Sequence, residues 1–401
     1  MENLTRQQRP MRAMVRTAEM LVILATLVLA ACTHNPNMPV TVTVPASAVN
    51  PPPATAVDGR MVAPVGRLRV DPQGGWRATW PGVHWTLRFS GSAVGVEVDD
   101  PLGHWVLEID GRAALHIAPQ ADATQRTAWV RDLPPGEHTA VLIKRGESPQ
   151  HAARFVGFHL EANGRALPPP PQPLRKIEFI GDSFTAAMGN MSTTRACTGP
   201  EIGARTDITQ GFAVLAARSL QADWQIHAKS GAGLVRNWAG KLPDENFGLH
   251  YGKLLQTDTQ ATTPMATVTN ALGDWQPQVV VIGLGINDFS TPVGPNEPRD
   301  AGALEREFVA LYKRLIARLR QDYGDPVFVL LSLPLHQGDK LRPVVARLVA
   351  EERSAGHFKV HELDWGQLQV RGCAAHPDAD DHRNMALRLI DTIRKAVAGW
   401  R

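Results

Sequence analysis

The chain has 401 residues, 43% hydrophobic and 20% charged, with a formal net charge of +3. That length can bury a large core and predicts two or three domains, and the composition excludes a disordered tail. Residues 1–31 hold four Arg and two Glu, which leaves the remainder near +1 and excludes a nucleic-acid footprint; no zinc-type Cys/His spacing occurs, and neither a metal nor a cofactor is expected.

In chain order, Arg6, Arg9, Arg12 and Arg16 precede the small and apolar run Met20–Ala31. The 12 residues of that run are too few to cross about 30 Å of hydrocarbon as a helix. A basic stretch ahead of a short apolar one reads as a secretory leader, residues 1–31. Leu29-Ala30-Ala31-Cys32 resembles the lipobox of bacterial lipoproteins, which implies cleavage before Cys32 and its diacylation. The other reading is an ordinary leader with an incidental Cys. Thr33 follows, where an Asp would mark inner-membrane retention in enteric-type sorting. The expected location is the bacterial cell envelope, at the outer membrane, held by the acyl chains on Cys32. Residues 32–61 are rich in Pro, Ala, Thr and Val without helical periodicity and read as an extended tether. Cys197 and Cys373 remain. On the residues alone they are a disulfide in an oxidising compartment or two buried thiols.

From 62 to 167 the period is two. Trp85, Leu87 and Phe89 alternate with Thr86 and Arg88, and Val94, Val96 and Val98 with Gly95 and Glu97. Trp105, Leu107 and Ile109 repeat the pattern, Asp110-Gly111 signals a turn, and Thr139–Lys144 and Phe155–Leu160 are further strands. Gly-Glu-Ser-Pro at 146–149 reads as a turn between the last two. Short strands at roughly ten-residue spacing predict a β-sandwich. The Pro-rich stretch 168–175 breaks regular structure and forms a hinge. Behind it, strands are predicted at Ile177–Ile180, Trp224–Ala228, Val279–Ile282, Val327–Leu331 and Phe358–Leu363. Helices are predicted at Gln210–Ala222, around Leu304–Leu319, at Leu341–Ala355 and at His382–Val397. Alternating strands and helices over 176–401 predict a parallel sheet covered on both faces, with its site at the carboxyl ends of the strands.

Four segments follow those strands. Gly181-Asp182-Ser183 places a serine at a tight turn, where it either faces the crevice or caps the next helix. Ser230-Gly231-Ala232-Gly233 offers a backbone N–H to a ligand or is a plain turn. Gly285-Ile286-Asn287-Asp288 brings an amide that can stabilise an oxyanion, with Asp288 an orienter or a local cap, or is turn chemistry. Gly372-Cys373-Ala374-Ala375-His376 places a general base ahead of the last helix, or a surface histidine. Together they supply a nucleophile, oxyanion donors and a base, the requirements of acyl transfer.

The set Ser, Gly, Asn, His resembles the SGNH, or GDSL-type, hydrolases. The resemblance implies Ser183 as nucleophile, the N–H groups of Ser183 and Gly231 with the Asn287 amide as oxyanion donors, and His376 as base. Asp182 and Asp288 are then candidate orienters. "RKIEFIGDSFTAAMGN", "SGAGLVRNWAG", "VVVIGLGINDFST" and "GCAAHPDADDHRNMA" are similar to the blocks of carbohydrate esterase family 2. The strands ahead of them, with "LPPGEHTAVLIKRGE", resemble that family's N-terminal jelly roll. The resemblance implies a serine esterase that removes O-acetyl groups from polysaccharides such as xylan and glucomannan through an acyl-enzyme, with no cofactor. It also implies a disulfide between Cys197 and Cys373.

The chain departs from the SGNH pattern in one respect. Where an acid commonly stands two or three residues before the base, this chain has Ala374 and Cys373. A Ser183–His376 dyad is expected, its imidazole oriented by a backbone carbonyl and titrating near an unperturbed value of about 6.5. Asp378, Asp380 and Asp381 are candidate substitutes for the missing acid, and His382 is a rival base. Ten Trp stand against three Tyr. Most are read as core, including Trp85 and Trp105, and Trp238 beside the oxyanion loop as a sugar-stacking platform. The competing functions are an esterase of the same fold acting on lipids, thioesters or the cell's own acetylated glycans, and a carbohydrate-binding protein without catalysis.

Overall fold

The computed structural model describes residues 54–120, 124–259, 275–335 and 338–400. The leader, Cys32 and the tether up to residue 53 lie outside the described residues.

The first half is a sandwich of two six-stranded antiparallel sheets. One is built on Ala153–Glu161, flanked by Trp76–Ala78 and Val94–Asp99. The other is built on Glu137–Lys144, flanked by His84–Ser90 and Trp105–Ile109. The alternation read along 85–89 is borne out in burial, with Trp85, Leu87 and Phe89 fully buried between the sheets. Each such side chain contributes roughly 1.5–3 kcal/mol by leaving water. The sandwich starts earlier than 62. Ala54–Ala56 pairs antiparallel with Glu161–His159, so the last residues assigned to the tether belong to the sheet. Arg112–Ile117 and Gln125–Val130 are further strands, held by pairing with Trp105–Ile109 and Val94–Asp99.

The second half is a five-stranded parallel sheet. Arg175–Gly181 and Val279–Gly283 lie centrally, Ala222–Ala228 at one edge, and Val327–Ser332 then Val360–Asp364 on the other side. Val279–Gly283 and Val327–Ser332 are nearly continuous apolar runs, as burial on both faces favours. Helices Phe212–Ser219 and Ala379–Ala396 pack together as one layer, and Ala301–Tyr323 with Leu341–Ser354 as another. The last helix begins three residues before the predicted His382, because Asp378 caps it by accepting from the N–H groups of Asp380 and Asp381 at 3.0 Å.

The domains share a core. Val106 and Ile143 of the sandwich are buried in the hydrophobic cluster of the parallel sheet. Arg218 reaches both oxygens of Glu108 at 2.8 Å, Trp224 Nε1 donates to Gly82 O at 3.1 Å, and Gln256 N donates to Thr79 Oγ1 at 2.8 Å. This interface, more than the stretch read as a hinge, fixes one domain against the other.

Register brings the site loops to one level. Gly181 pairs with Ala228 on one side and Gly283 on the other, so the loops carrying Ser183, Gly231 and Asn287 leave the sheet side by side.

Candidate active site

Ser183 sits in a tight turn directly after the first parallel strand. Asp182 shapes the turn: its Oδ1 accepts the Phe184 N–H at 3.0 Å, and its carbonyl accepts the Ala186 N–H at 2.9 Å. Ser183 Oγ and His376 Nε2 are 2.7 Å apart. On the far side of the ring, Nδ1 lies 3.0 Å from Cys373 O and 3.1 Å from Ala374 O. An Nδ1–H donated there leaves Nε2 to accept the serine proton.

The loop that presents these carbonyls is strained. Ala374 and Ala375 both adopt left-handed backbone, φ +53° and +59°, which L-residues avoid. It is also well tied. Cys373 is joined to Cys197 by a disulfide. Gly372 N donates to His376 O at 2.9 Å, and Ala374 N to Arg195 O at 2.8 Å. Gly189 lets the two loops meet, since a Cβ there would stand 2.4 Å from Cys373 Cβ.

Among the described residues, no aspartate reaches the imidazole. Asp378 pairs with Arg371 at 2.5 Å besides capping its helix, and Asp380 pairs with Arg371 at 2.9 Å. Asp381 accepts the N–H groups of Gln369 and Val370 at 3.0 and 2.8 Å. His382 is in the core, stacked on Phe212, with Nδ1 accepting the Phe212 N–H at 3.2 Å. Burial pushes it down to about 3, so the rival base is a packed neutral ring whose Nδ1 is taken by backbone. Burial also holds His376 below the ordinary 6.5, opposed by the two carbonyls. The expectation of an unperturbed value is corrected on that point.

Two backbone N–H groups stand in the loops that follow the paired strand ends Gly181 and Ala228. Among the described residues, neither the Ser183 N–H nor the Gly231 N–H is donated to a protein acceptor. Gly231 holds φ +76°, and a Cβ there would meet nothing within 4 Å. The third expected donor is differently placed. Asn287 Nδ2 donates to Ala232 O at 3.0 Å and to Asp182 Oδ2 at 3.3 Å, so both amide hydrogens have protein acceptors. Neither candidate orienter touches the imidazole. Asp182 holds Asn287, and Asp288 accepts the N–H groups of Leu234, Val235 and Arg236 at 2.8–2.9 Å. Both carboxyls are fully buried, and burial raises them to about 7 and about 6. Asp288 thus fixes the loop that follows Gly231.

Two further residues went unread in the sequence. Arg236 clamps this loop to Glu297 through Nε and Nη2, at 2.6 and 2.8 Å. Glu147, read as part of a turn, accepts the Ser230 N–H from the sandwich domain at 3.0 Å. The contact spans 83 residues, and no local pattern announces it. Trp238 lines a depression of about 150 Å³ with Ser230, Gly231 and Lys241. It is 48% exposed, unlike the core Trp85 and Trp105, and Lys241 Nζ lies 4.6 Å from its ring centroid.

Comparison with known proteins agrees with this architecture. Residues 64–170 match the family model for the carbohydrate esterase 2 N-terminal domain, and residues 177–398 that for GDSL-like lipase/acylhydrolase. An acetylxylan esterase / glucomannan deacetylase of Cellvibrio japonicus is 32% identical over 323 residues, 80% of this chain and 86% of that protein. The cellulase/esterase CelE of Acetivibrio thermocellus is 31% identical over 84% of this chain but only 39% of its own length. A family two carbohydrate esterase from Clostridium thermocellum, solved with cellohexaose, superposes with a TM-score of 0.72 at 29% identity, over 85% of this chain and all of that one. The chain belongs to carbohydrate esterase family 2, as a jelly-roll sandwich followed by a GDSL-type ester hydrolase domain.

Proposed function

We propose that this family 2 esterase removes O-acetyl groups from a plant-type polysaccharide, of the xylan or glucomannan class, by way of an acetyl-Ser183 intermediate. The observation that carries the reading is the 2.7 Å contact of Ser183 Oγ with His376 Nε2, facing two unspent backbone N–H groups. The substrate class rests on the 32% identical relative that bears that activity in its name.

Ser183 Oγ attacks the acetyl carbonyl carbon while its proton passes to His376 Nε2. The imidazolium donates Nδ1–H to the carbonyls of Cys373 and Ala374, which stand where a carboxylate usually does. The oxyanion takes the N–H groups of Ser183 and Gly231, and Asn287 joins by exchanging one protein acceptor for the substrate oxygen. The Nε2 proton then goes to the departing sugar oxygen. Water attacks the acetyl-serine, gives its proton to His376, and acetate leaves as Ser183 regains it. Trp238 offers a ring face to a sugar beside the oxyanion loop. Cys32, diacylated after cleavage of the leader, anchors the chain to the outer membrane.

The test is acetate release from acetylated xylan, glucomannan and peptidoglycan beside 4-nitrophenyl acetate and a long-chain ester. Release from the plant glycans, lost in Ser183→Ala, is expected. Preference for the long-chain ester or peptidoglycan overturns the substrate class. Labelled palmitate should enter the wild-type chain and not Cys32→Ala; failure to label removes the anchor.

A further inference from the structure

The oxyanion loop is held in part from another domain. Glu147 stands three residues beyond the sandwich strand Glu137–Lys144, and both its carboxylate oxygens lie within reach of the Ser230 N–H, at 3.0 and 3.2 Å. It is largely buried, and burial pushes its carboxyl up, opposed by Ser230 and by the ammonium groups of Lys229 and Lys144. On the other side of Gly231, the Gly231 carbonyl accepts the Trp238 N–H at 3.0 Å. The peptide that presents the Gly231 N–H therefore lies between two pinned peptides, one pinned by Glu147 and one from within the loop.

The turn is closed from within by Ala232 N donating to Lys229 O at 3.2 Å, and Glu147 adds a contact from the sandwich domain. A Cβ at Gly231 would find open space, and its left-handed φ of +76° is a conformation glycine leaves freely. Packing does not hold the donor in place; hydrogen bonds do. The neighbouring contacts Ile208 N to Arg145 O, 3.0 Å, and Arg145 to Asp207, 3.3 Å, anchor the Glu147 turn itself on the hydrolase domain. A carboxylate near a forming oxyanion is electrostatically unfavourable, so its presence is accounted for by geometry and not by charge.

We propose that Glu147 is a positioning residue for the oxyanion donor Gly231, so that the sandwich domain takes part in turnover and does more than wall or bind substrate. The inference rests on the esterase reading above. It assigns Glu147 no contact with substrate.

The test uses the whole chain with 4-nitrophenyl acetate, a substrate too small to involve a glycan subsite. Glu147→Ala should lower kcat about 10- to 100-fold, the scale of a misplaced or lost oxyanion donor, with KM within about twofold. Glu147→Gln keeps an acceptor oxygen without the charge and should restore kcat to within about threefold. Amide hydrogen exchange at Ser230, whose N–H Glu147 accepts, should quicken in the Ala variant and recover in the Gln variant. Unchanged kcat in Glu147→Ala overturns the proposal, as does a Gln variant as slow as the Ala variant, or unaltered exchange at Ser230. Failure of the esterase reading is seen separately: the wild type would then cleave no ester, while the exchange still reports whether Glu147 holds the turn.

Discussion

The two loops that frame Ser183 are held by opposite means. The loop of the proposed base, 372–377, is tied by a disulfide, by backbone bonds to the 189–195 loop, and by neutral carbonyls on the imidazole. The loop of the proposed oxyanion donor, 230–237, is tied by carboxylates: Asp288 on three N–H groups, Glu147 on a fourth, Glu297 on Arg236. The contrast follows the chemistry. A base that must gain and lose a proton gains from partners that do not titrate. Donors that must stay fixed while negative charge grows gain from strong, buried acceptors on the peptides around them.

The sharpest break in the comparison is at the base. His376→Ala should lower kcat by about 10⁴-fold or more, as for an unassisted serine. Single Ala replacements at Asp378, Asp380 and Asp381 should each keep most of the activity. Asp378→Ala should instead lose about 1 kcal/mol of stability with its helix cap. Any of the three as inactive as His376→Ala would reveal a relay through a carboxylate. Next in size, Asn287→Ala should lower kcat by about 10²–10³-fold. A loss under tenfold would mean that Asn287 serves only to tie Asp182 to Ala232.

Removing the bridge tests how much of the base loop is covalent. Cys197→Ser with Cys373→Ser should lower the unfolding free energy by about 2–4 kcal/mol, read by denaturant melts. Turnover should fall only a few-fold, because the Ala374–Arg195 and Gly372–His376 bonds remain. The smallest effect concerns pH. Only neutral His376 can take the serine proton, and its pKa lies below 6.5. The acid limb of kcat/KM should therefore fall below 6.5. A limb at or above 6.5 would mean that the imidazolium has a stabilising partner other than the two carbonyls.

Three of the four proposed site segments were legible because each directly follows a strand of the parallel sheet, and the fourth because it stands just before the last helix. Gly-Asp-Ser after Phe179-Ile180 and Gly-Ile-Asn-Asp after Val281-Ile282 mark the ends of buried strands as clearly as they mark chemistry. The carbonyl-oriented imidazole was legible by elimination, since no acid stands two or three residues before His376. What sequence could not show is distance. Glu147 looked like a turn residue, and Asp288 reaches backbone more than fifty residues away by its own carboxylate. Burial of His376 is a property of the assembled crevice, so its lowered pKa was invisible too. The tether's end was misplaced because Ala54–Ala56 is a strand only by virtue of its partner at the sheet edge.

The bridge from Cys197 to Cys373 spans 176 residues and ends on the residue whose carbonyl faces the imidazole. During synthesis Ser183 and the Gly231 loop emerge long before His376, the base proposed to activate the serine. A chain whose second cysteine has not yet found the first carries the nucleophile on an assembled sheet and the base on a loop without its covalent tie. Full competence thus follows oxidation, and preparations differing only in thiol content should separate into populations of unequal specific activity.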